Sequence, residues 1–165
     1  MSVATAAMRR PRWLLFVTLA VTIVVVDQLV KAAIAANYQV GVPVAVVGDF
    51  VRIDVSHNQG ALFGLFQGSA VIFGVGSLAV IALIVWYESR AGGSALVTLA
   101  LGLLVGGAVG NLLDRLRLGY VVDFVDAGIG GWRWYTFNVA DAAISTAIVL
   151  LVILALLPPD RSATG

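Results

Sequence analysis

Cysteine is absent from this sequence of 165 residues, and histidine occurs once, at His57. The absence of cysteine excludes disulfides, thiol catalysis and thiolate metal sites. One histidine is too few for an HExxH-type metal site, and no serine that could pair with it lies in a nucleophile-elbow motif. The net charge of +1 gives no indication of a nucleic-acid partner. Any catalytic chemistry therefore has to come from other polar side chains.

Charged residues are also scarce, at 12% of the chain, whereas hydrophobic residues make up 61% and the mean hydropathy is +1.02. In a soluble domain, about a quarter of the residues are charged. A chain this short cannot bury such an excess of apolar side chains in one core, because small domains leave much of their surface exposed. The composition therefore predicts a membrane protein in which lipid solvates much of the apolar surface.

Four apolar runs reach or approach the length of roughly 20 residues that spans the hydrocarbon layer. They predict transmembrane helices at about residues 13–34, 70–87, 95–113 and 138–157. The first run is too long for the apolar part of a signal peptide, and no clear cleavage site follows, so we interpret it as a retained helix. The third run contains a small-residue pattern that predicts a closely packed face, formed by Gly102, Gly106, Gly107 and Gly110.

The predicted orientation depends on the basic residues that flank these runs. Four spans place both termini on one side, and Arg9, Arg10 and Arg12 mark that side as cytoplasmic by the positive-inside rule. Five basic residues nevertheless fall on the opposite, outer side, and we expect them to have specific roles there. They are Lys31, Arg52, Arg115, Arg117 and Arg133.

Two segments are predicted to face outward. Residues 51–56 alternate apolar and polar side chains with period two, as in a half-exposed strand, and residues 40–46 alternate in the same way. We therefore expect a small β-cradle on the membrane surface at about residues 38–69, and an outer loop at about residues 114–137. The predicted fold is mainly α, with four transmembrane helices and this cradle in a single integral membrane domain over residues 1–165.

Asp27 and Lys31 are spaced i, i+4 near the outer end of the first run, in the order that favours an ion pair on a helix. They either stabilise the helix end as a simple pair, with Lys31 reaching the interface, or orient a catalytic loop or a lipid headgroup.

Asn111, Asp114 and Arg115 share one face of the third helix. They form either a polar helix terminus or a cluster that positions a site. We favour the cluster, because arginine offers a rigid donor fork to a carboxylate or carbonyl.

Asp123 and Asp141 are the most informative acids. Asp123 lies among bulky apolar residues just after the third run, and Asp141 follows Asn138 by one helical turn on the same face. Taken singly, either one is also explained as a helix cap. Together they project near the outer interface of a bundle of only four helices, where ionisable groups are costly and are usually functional or paired.

Two carboxylates that share one water cannot easily both ionise, so one pKa rises and the pair shares a proton. One carboxylate then takes a proton from water while the other protonates a carbonyl oxygen. Such a pair hydrolyses an amide without a metal or a nucleophilic side chain. We therefore predict that Asp123 and Asp141 are the catalytic pair, without assigning the acid or the base role to either.

Five short motifs occur along the chain in a defined order. They are D-Q-L-V-K from Asp27, N-Q-G-A-L-F from Asn58, G-N-L-L-D-R from Gly110, V-D-F from Val122 and F-N-V-A-D from Phe137. In order and spacing they resemble the motifs of the bacterial lipoprotein signal peptidase (signal peptidase II) family, over roughly residues 27–145. Any one motif alone would be weak, but five in order are specific.

The resemblance implies an aspartic endopeptidase of the bacterial cytoplasmic (inner) membrane, with both termini cytoplasmic and the active site near the outer face. Such an enzyme removes the signal peptide from prolipoproteins, cutting before a Cys that carries diacylglycerol. The implied partners are these prolipoproteins, membrane lipid and globomycin-type inhibitors, with no metal or organic cofactor. The outer segment at 38–69 would be a periplasmic β-cradle.

The resemblance also assigns residues to the site. Asp123 and Asp141 would be catalytic. The supporting or substrate-binding positions would be Asp27, Lys31, Asn58, Gly60, Asn111, Asp114, Arg115 and Asn138. The Asn58 amide would bind the substrate backbone, although closure of the turn before the second helix is an alternative role for it.

Two other functions would use the same residues. In a small proton-coupled transporter the acids would form a proton relay, but that function needs an acid or another polar residue deep within a span. The middles of the four runs are apolar apart from Thr and Ser. In a non-catalytic membrane assembly factor the acids would be caps and pairs, and replacing Asp123 or Asp141 by Asn would leave function intact.

Overall fold

The computed structural model describes residues 11–60, 70–91 and 94–157, in which four long helices are joined at one end by a small sheet. The helices are α1 (Trp13–Asn37), α2 (Ala70–Ala91), α3 (Ala95–Leu118) and α4 (Val139–Leu156). All four are long and apolar enough to cross a membrane. The predicted mainly α membrane fold with four transmembrane helices is therefore confirmed. Arg9 and Arg10, and residues 61–69 of the predicted cradle, lie outside the described residues.

The sheet has four antiparallel strands in the order β1-β2-β3-β4. They are β1 (Val44–Val47), β2 (Val51–Asn58), β3 (Val121–Ile129) and β4 (Trp132–Arg133). The sheet follows the end of α1 and precedes the start of α4, so we call this the sheet end of the bundle. The opposite end, where α1 begins and α4 finishes, is called the far end.

The segment that we predicted as an outer loop, 114–137, is largely ordered secondary structure. α3 continues past the predicted end at Leu113 to Leu118, and Gly119 terminates it with a left-handed φ of 80°. We placed the end too early because the polar residues after Gly110 resemble an exit from the membrane, whereas several are buried inside the bundle. β3 was missed because its side chains are buried on both faces, which removes the period-two alternation.

Small residues on α3 allow two other helices to approach it closely. A Cβ on Gly106 would lie 2.8 Å from the carbonyl oxygen of Ala20 in α1, and a Cβ on Gly107 would lie 2.5 Å from the carbonyl oxygen of Ala140 in α4. Neither neighbour is a flexible side chain that can move away. The predicted close-packed glycine face of α3 is therefore confirmed.

Apolar side chains form two buried clusters and also cover the outside of the helices. One cluster, around Phe16 and Leu101, joins α1, α2 and α3, and the other, around Val55 and Phe124, joins the sheet to α1. Many remaining apolar side chains on the helices are exposed, as expected where lipid replaces water as the solvent. More than half of each of three aromatic side chains at the sheet end is also exposed: Trp132, Trp134 and Tyr135.

Candidate active site

Asp141 lies in the first turn of α4, where Asn138 is the N-cap residue. The side-chain oxygen of Asn138 accepts the backbone N–H of Asp141 at 2.9 Å, and Asp141 Oδ2 accepts the backbone N–H of Asn138 at 3.3 Å. This reciprocal capping box confirms the cap interpretation for one oxygen of Asp141. The other oxygen, Oδ1, accepts from Asn111 Nδ2 at 2.7 Å.

Asp123 is the third residue of β3 and is 2% exposed. Its Oδ1 accepts from Asn138 Nδ2 at 2.7 Å, and its Oδ2 accepts from Asn58 Nδ2 at 3.1 Å. The cap interpretation is wrong for this residue, because it lies in a strand and accepts side-chain amides rather than helix N–H groups. Asn138 thus contacts both carboxylates, through its side-chain amide on Asp123 and through its backbone on Asp141.

Asp123 and Asp141 line one cavity of about 790 Å³. Its walls come from α2, α3, α4, the end of β2, the start of β3 and the segment 134–137, and its charged residues lie at the sheet end. Further into the bundle the lining is largely apolar and includes Val80 on α2 and Ile148 on α4. Both of these side chains are about half exposed, so this part of the cavity lies near the outside of the bundle.

The environment of Asp123 favours its protonated form. Burial is the largest cause and, together with the charge of Asp141, raises the pKa of Asp123 to about 7 from an ordinary value of 3.8. The hydrogen bonds from Asn58 and Asn138 act in the opposite direction and offset only part of this shift. Asp123 therefore keeps its proton to a much higher pH than an exposed aspartate does.

Lys31 lies at the centre of a buried ion cluster that joins α1 to α3. Its Nζ lies 2.8 Å from Asp27 Oδ2, 2.8 Å from Asp114 Oδ2 and 3.1 Å from Asn111 Oδ1. Lys31 is 4% exposed, so it does not reach the membrane interface. The simple surface pair is therefore the wrong interpretation of Asp27 and Lys31. Asn111 and Asp114 belong to the same buried cluster, and its role in positioning a site stays a prediction.

This cluster also positions the two carboxylates in the cavity. Asp27 Oδ1 accepts the backbone N–H of Ala140 at 2.9 Å and thereby caps the first turn of α4 from another helix. Asp114 Oδ2 accepts the backbone N–H of Val122, the residue before Asp123, at 3.2 Å. One end of the cluster therefore fixes the start of α4 and the other fixes β3.

Arg115 and Gly60 complete the polar network at the sheet end. One Arg115 nitrogen donates to the carbonyl oxygen of Gly60 at 3.1 Å, and Asn58 Oδ1 accepts the backbone N–H of Gly60 at 3.0 Å. Arg115 borders the cavity, and its buried Nε has no hydrogen-bond partner within the described part of the chain. All ten site residues predicted from the sequence therefore belong to one connected polar network at the sheet end.

The sequence did not single out Asp126, which binds two arginines of the sheet. Arg52 on β2 contacts Asp126 Oδ2 at 2.7 Å, and Arg133 on β4 contacts Asp126 Oδ1 at 2.6 Å. Burial alone would raise the pKa of Asp126, but the hydrogen bonds and charges of Arg133 and Arg52 outweigh it and lower the pKa. The surplus of basic residues on the outer side was the available signal. This ion cluster fastens β2, β3 and β4 beside the segment 134–137 of the cavity wall.

The chain matches one protein family over most of its length. The family profile described as Signal peptidase (SPase) II matches residues 19–157. The lipoprotein signal peptidase of Moorella thermoacetica is 41% identical over 87% of this chain and 93% of the relative. That of Halothermothrix orenii is 36% identical over 79% of this chain and 88% of the relative. The resemblance predicted from the five motifs is confirmed.

Two solved structures share the fold. A bacterial membrane enzyme solved by the in meso method at 2.3 Å is 29% identical, covers 96% of both chains and gives a TM-score of 0.85. A second, solved at 1.9 Å by the same method, is also 29% identical, with a TM-score of 0.82 over 93% of this chain and 99% of that one. The arrangement of four helices and a sheet is therefore that of known bacterial membrane enzymes.

Proposed function

Since this chain belongs to the signal peptidase II family, we propose that it removes signal peptides from diacylglyceryl-modified prolipoproteins by activating water between Asp123 and Asp141. Membership of this family indicates a multi-pass peptidase of the bacterial inner membrane. The aspartic mechanism and cleavage before the lipidated Cys are what we propose in addition. The observation that supports it most is the shared cavity, where Asn138 contacts both carboxylates.

The proposed reaction needs one carboxyl that carries a proton and one that does not. The raised pKa of Asp123 provides a proton near neutral pH, and the pair is treated as a unit because the two charges interact. The ionised carboxylate takes a proton from water, and the resulting hydroxide attacks the scissile carbonyl. The protonated carboxyl donates to the carbonyl oxygen. Collapse of the tetrahedral intermediate breaks the C–N bond, and the pair returns a proton to the leaving amine.

The shape of the cavity fits a substrate with a polar reaction centre and a long apolar part. Asp141 and Ile148 both line it, and seven residues of helix separate them by about 10 Å along α4. This apolar wall would contact an acyl chain or the apolar core of the signal peptide, while the peptide bond reaches the carboxylates. On the same premise, membrane lipid and globomycin-type inhibitors are expected to enter this cavity.

The proposed orientation places the sheet end at the periplasmic face and the far end in the cytoplasm. Arg12, which precedes α1 at the far end, follows the positive-inside rule in this arrangement. Both termini are then cytoplasmic, and the carboxylates lie near the outer interface. The scissile bond of a protein anchored by diacylglycerol is expected at the same depth.

The substrate class is tested by cleavage in detergent. Purified protein is mixed with a diacylglyceryl-modified prolipoprotein, with the unmodified form and with a Cys→Ser form, with and without a metal chelator. We expect a size shift on a gel for the modified form only, with no effect of the chelator. Equal cleavage of the unmodified form would show that the lipid is not recognised, and inhibition by the chelator would contradict the aspartic mechanism.

A further inference from the structure

Glu88 is a fully buried acid at the far end of the bundle, remote from the proposed active site. It lies in the last turns of α2 and is 0% exposed. Its Oε1 accepts the backbone N–H of Arg12 at 3.3 Å and the hydroxyl of Thr98 at 3.1 Å. Its Oε2 is buried without a hydrogen-bond partner among the described residues. A buried carboxyl is costly, so its retention here requires a physical reason.

Glu88 lies beside the N-termini of two other helices. Arg12 is the N-cap residue of α1, and α1 has neither a side-chain cap nor an acid in its first turn. Thr98 lies in the first turns of α3, which begins at Ala95. Helix N-termini carry unpaired N–H groups and a partial positive charge, which a carboxylate stabilises. Glu88 therefore joins the far end of α2 to the beginnings of α1 and α3.

α2 has the least lateral support of the four helices. Within the described residues it packs mainly along α3, whereas α1 and α4 pack against α3 and also against each other. The half of α2 nearer the sheet end lines the substrate cavity through Phe73, Ser77 and Val80. The half nearer the far end packs into the apolar cluster through Ile84, one turn before Glu88. The attachment at Glu88 therefore adds a polar anchor at the far end to a helix that packs mainly on one neighbour.

We propose that Glu88 is a positioning residue that fixes the far end of α2 and thereby sets the separation of α2 from α4 at the cavity. Without this anchor α2 would tilt on α3, and only a fraction of the molecules would have the cavity width that binds substrate. The apparent affinity for substrate is then reduced to that fraction of its intrinsic value. The reacting groups lie on β3 and α4, so the chemical step would change little. This inference about Glu88 depends on the proposed function in one respect, which is that the cavity binds the prolipoprotein substrate.

The separation of the helices is measured directly with spin labels, because the chain has no cysteine of its own. Cysteines for labelling are placed at the exposed Val75 on α2 and at the exposed Thr146 on α4, and the distance distribution is recorded by double electron–electron resonance. We expect Glu88→Leu to broaden or shift this distribution. Glu88→Gln retains an acceptor oxygen for both donors and is expected to leave it unchanged.

A second label pair, at Val25 on α1 and Leu116 on α3, is the matched control and should not change in any variant. Thr98→Val removes one donor and should produce a smaller change than Glu88→Leu at the α2–α4 pair. An unchanged α2–α4 distance in Glu88→Leu overturns the proposal. Broadening of the control pair to the same extent overturns it too, because Glu88 would then support the whole bundle.

Kinetics give an independent readout. Glu88→Leu removes two hydrogen bonds. If a free energy equal to about one net hydrogen bond reaches the cavity, KM for the lipid-modified substrate rises roughly fivefold, with kcat within about twofold. Glu88→Gln is expected to restore the normal KM. An equal loss of kcat at unchanged KM would contradict a positioning role. The distance measurement does not need activity, so failure of the proposed peptidase function is distinguished from failure of this inference.

Discussion

Two fully buried carboxylates, one at each end of the bundle, each cap a helix other than their own. The groups that compensate their charge differ. Asp27 at the sheet end accepts the N–H of Ala140 in α4, and Glu88 at the far end accepts the N–H of Arg12 before α1. Asp27 is also paired with the ammonium of Lys31 at 2.8 Å. The two donors to Glu88 are neutral, and one of its oxygens is unpaired among the described residues.

The difference corresponds to what each end has to position. At the sheet end, two further carboxylates have to be kept in fixed geometry beside a cavity, and a compensating cation with several hydrogen bonds limits their movement. At the far end, one helix has to be attached. We infer that the sheet end depends on charge compensation for its stability, whereas the far end depends on a few neutral hydrogen bonds.

Removing Lys31 would eliminate the cation that distinguishes the two ends. Lys31→Met leaves Asp27 and Asp114 buried without their shared counter-ion, so we expect the free energy of unfolding to fall by about 3–5 kcal/mol. Arg117→Met is the matched control. Within the described residues this exposed cation at the same end donates to the Gln28 side chain at 3.3 Å, and its loss should lower the free energy of unfolding by less than about 1 kcal/mol. Thermal unfolding in detergent measures both. Equal melting temperatures for the two variants would contradict the proposed dependence on charge.

Gly110 tests whether the sheet end tolerates displacement of Asp27. A Cβ at this position would lie 2.8 Å from Asp27 Oδ2 and 3.4 Å from the Ala140 side chain. We expect Gly110→Ala to lower the free energy of unfolding by about 2–3 kcal/mol, because the carboxylate is fixed on all sides and cannot move away. Gly76→Ala on α2, where nothing lies within 4 Å of the added Cβ, should be neutral or slightly stabilising. A neutral Gly110→Ala would show that Asp27 is free to move.

Within the described residues, Asp123 has no ion pair like that of Asp27 with Lys31. We therefore expect its ionisation to lower the stability of the fold as pH rises. Its folded-state pKa of about 7 lies above the ordinary value of 3.8, so the stability that it contributes at low pH is lost as pH rises toward 7. We expect Asp123→Asn to gain stability relative to the wild type between pH 5 and pH 8, by about 2–3 kcal/mol in total. Melting temperatures of both proteins across this range measure the difference. A difference that is constant with pH would contradict the raised pKa.

Much of this architecture is predictable from the sequence, because lipid-spanning helices need long apolar runs and those runs are visible. The starts of the first three helices coincide with those predicted, at Trp13, Ala70 and Ala95. The end of α3 was misplaced because polar residues buried by tertiary packing resemble residues that leave the membrane. The strand β3 was missed because burial on both faces removes its period-two alternation. Local patterns carry no information about which distant element covers a side chain.

The candidate site was predictable for a different reason. The few ionisable residues of an apolar chain are conspicuous, and the motifs that contain them match a known family. Their connections were not predictable: Asp27 and Ala140 are distant in sequence, and nothing local indicates that one caps the helix of the other. Glu88 was overlooked for the same reason, since an acid near the end of an apolar run normally indicates the membrane surface.

The central claim is that Asp123 and Asp141 act together on one water. The most direct measurement is kcat for a lipid-modified prolipoprotein in Asp123→Asn and Asp141→Asn, with Asp54→Asn on β2, outside this cavity, as the matched control. Loss of either carboxylate removes proton transfer, so we predict that kcat falls by about 10²- to 10⁴-fold in each, while the control retains normal activity. The folded state of each variant is checked by its melting temperature. Substantial cleavage by either folded variant would contradict the pair and favour a structural role for these acids.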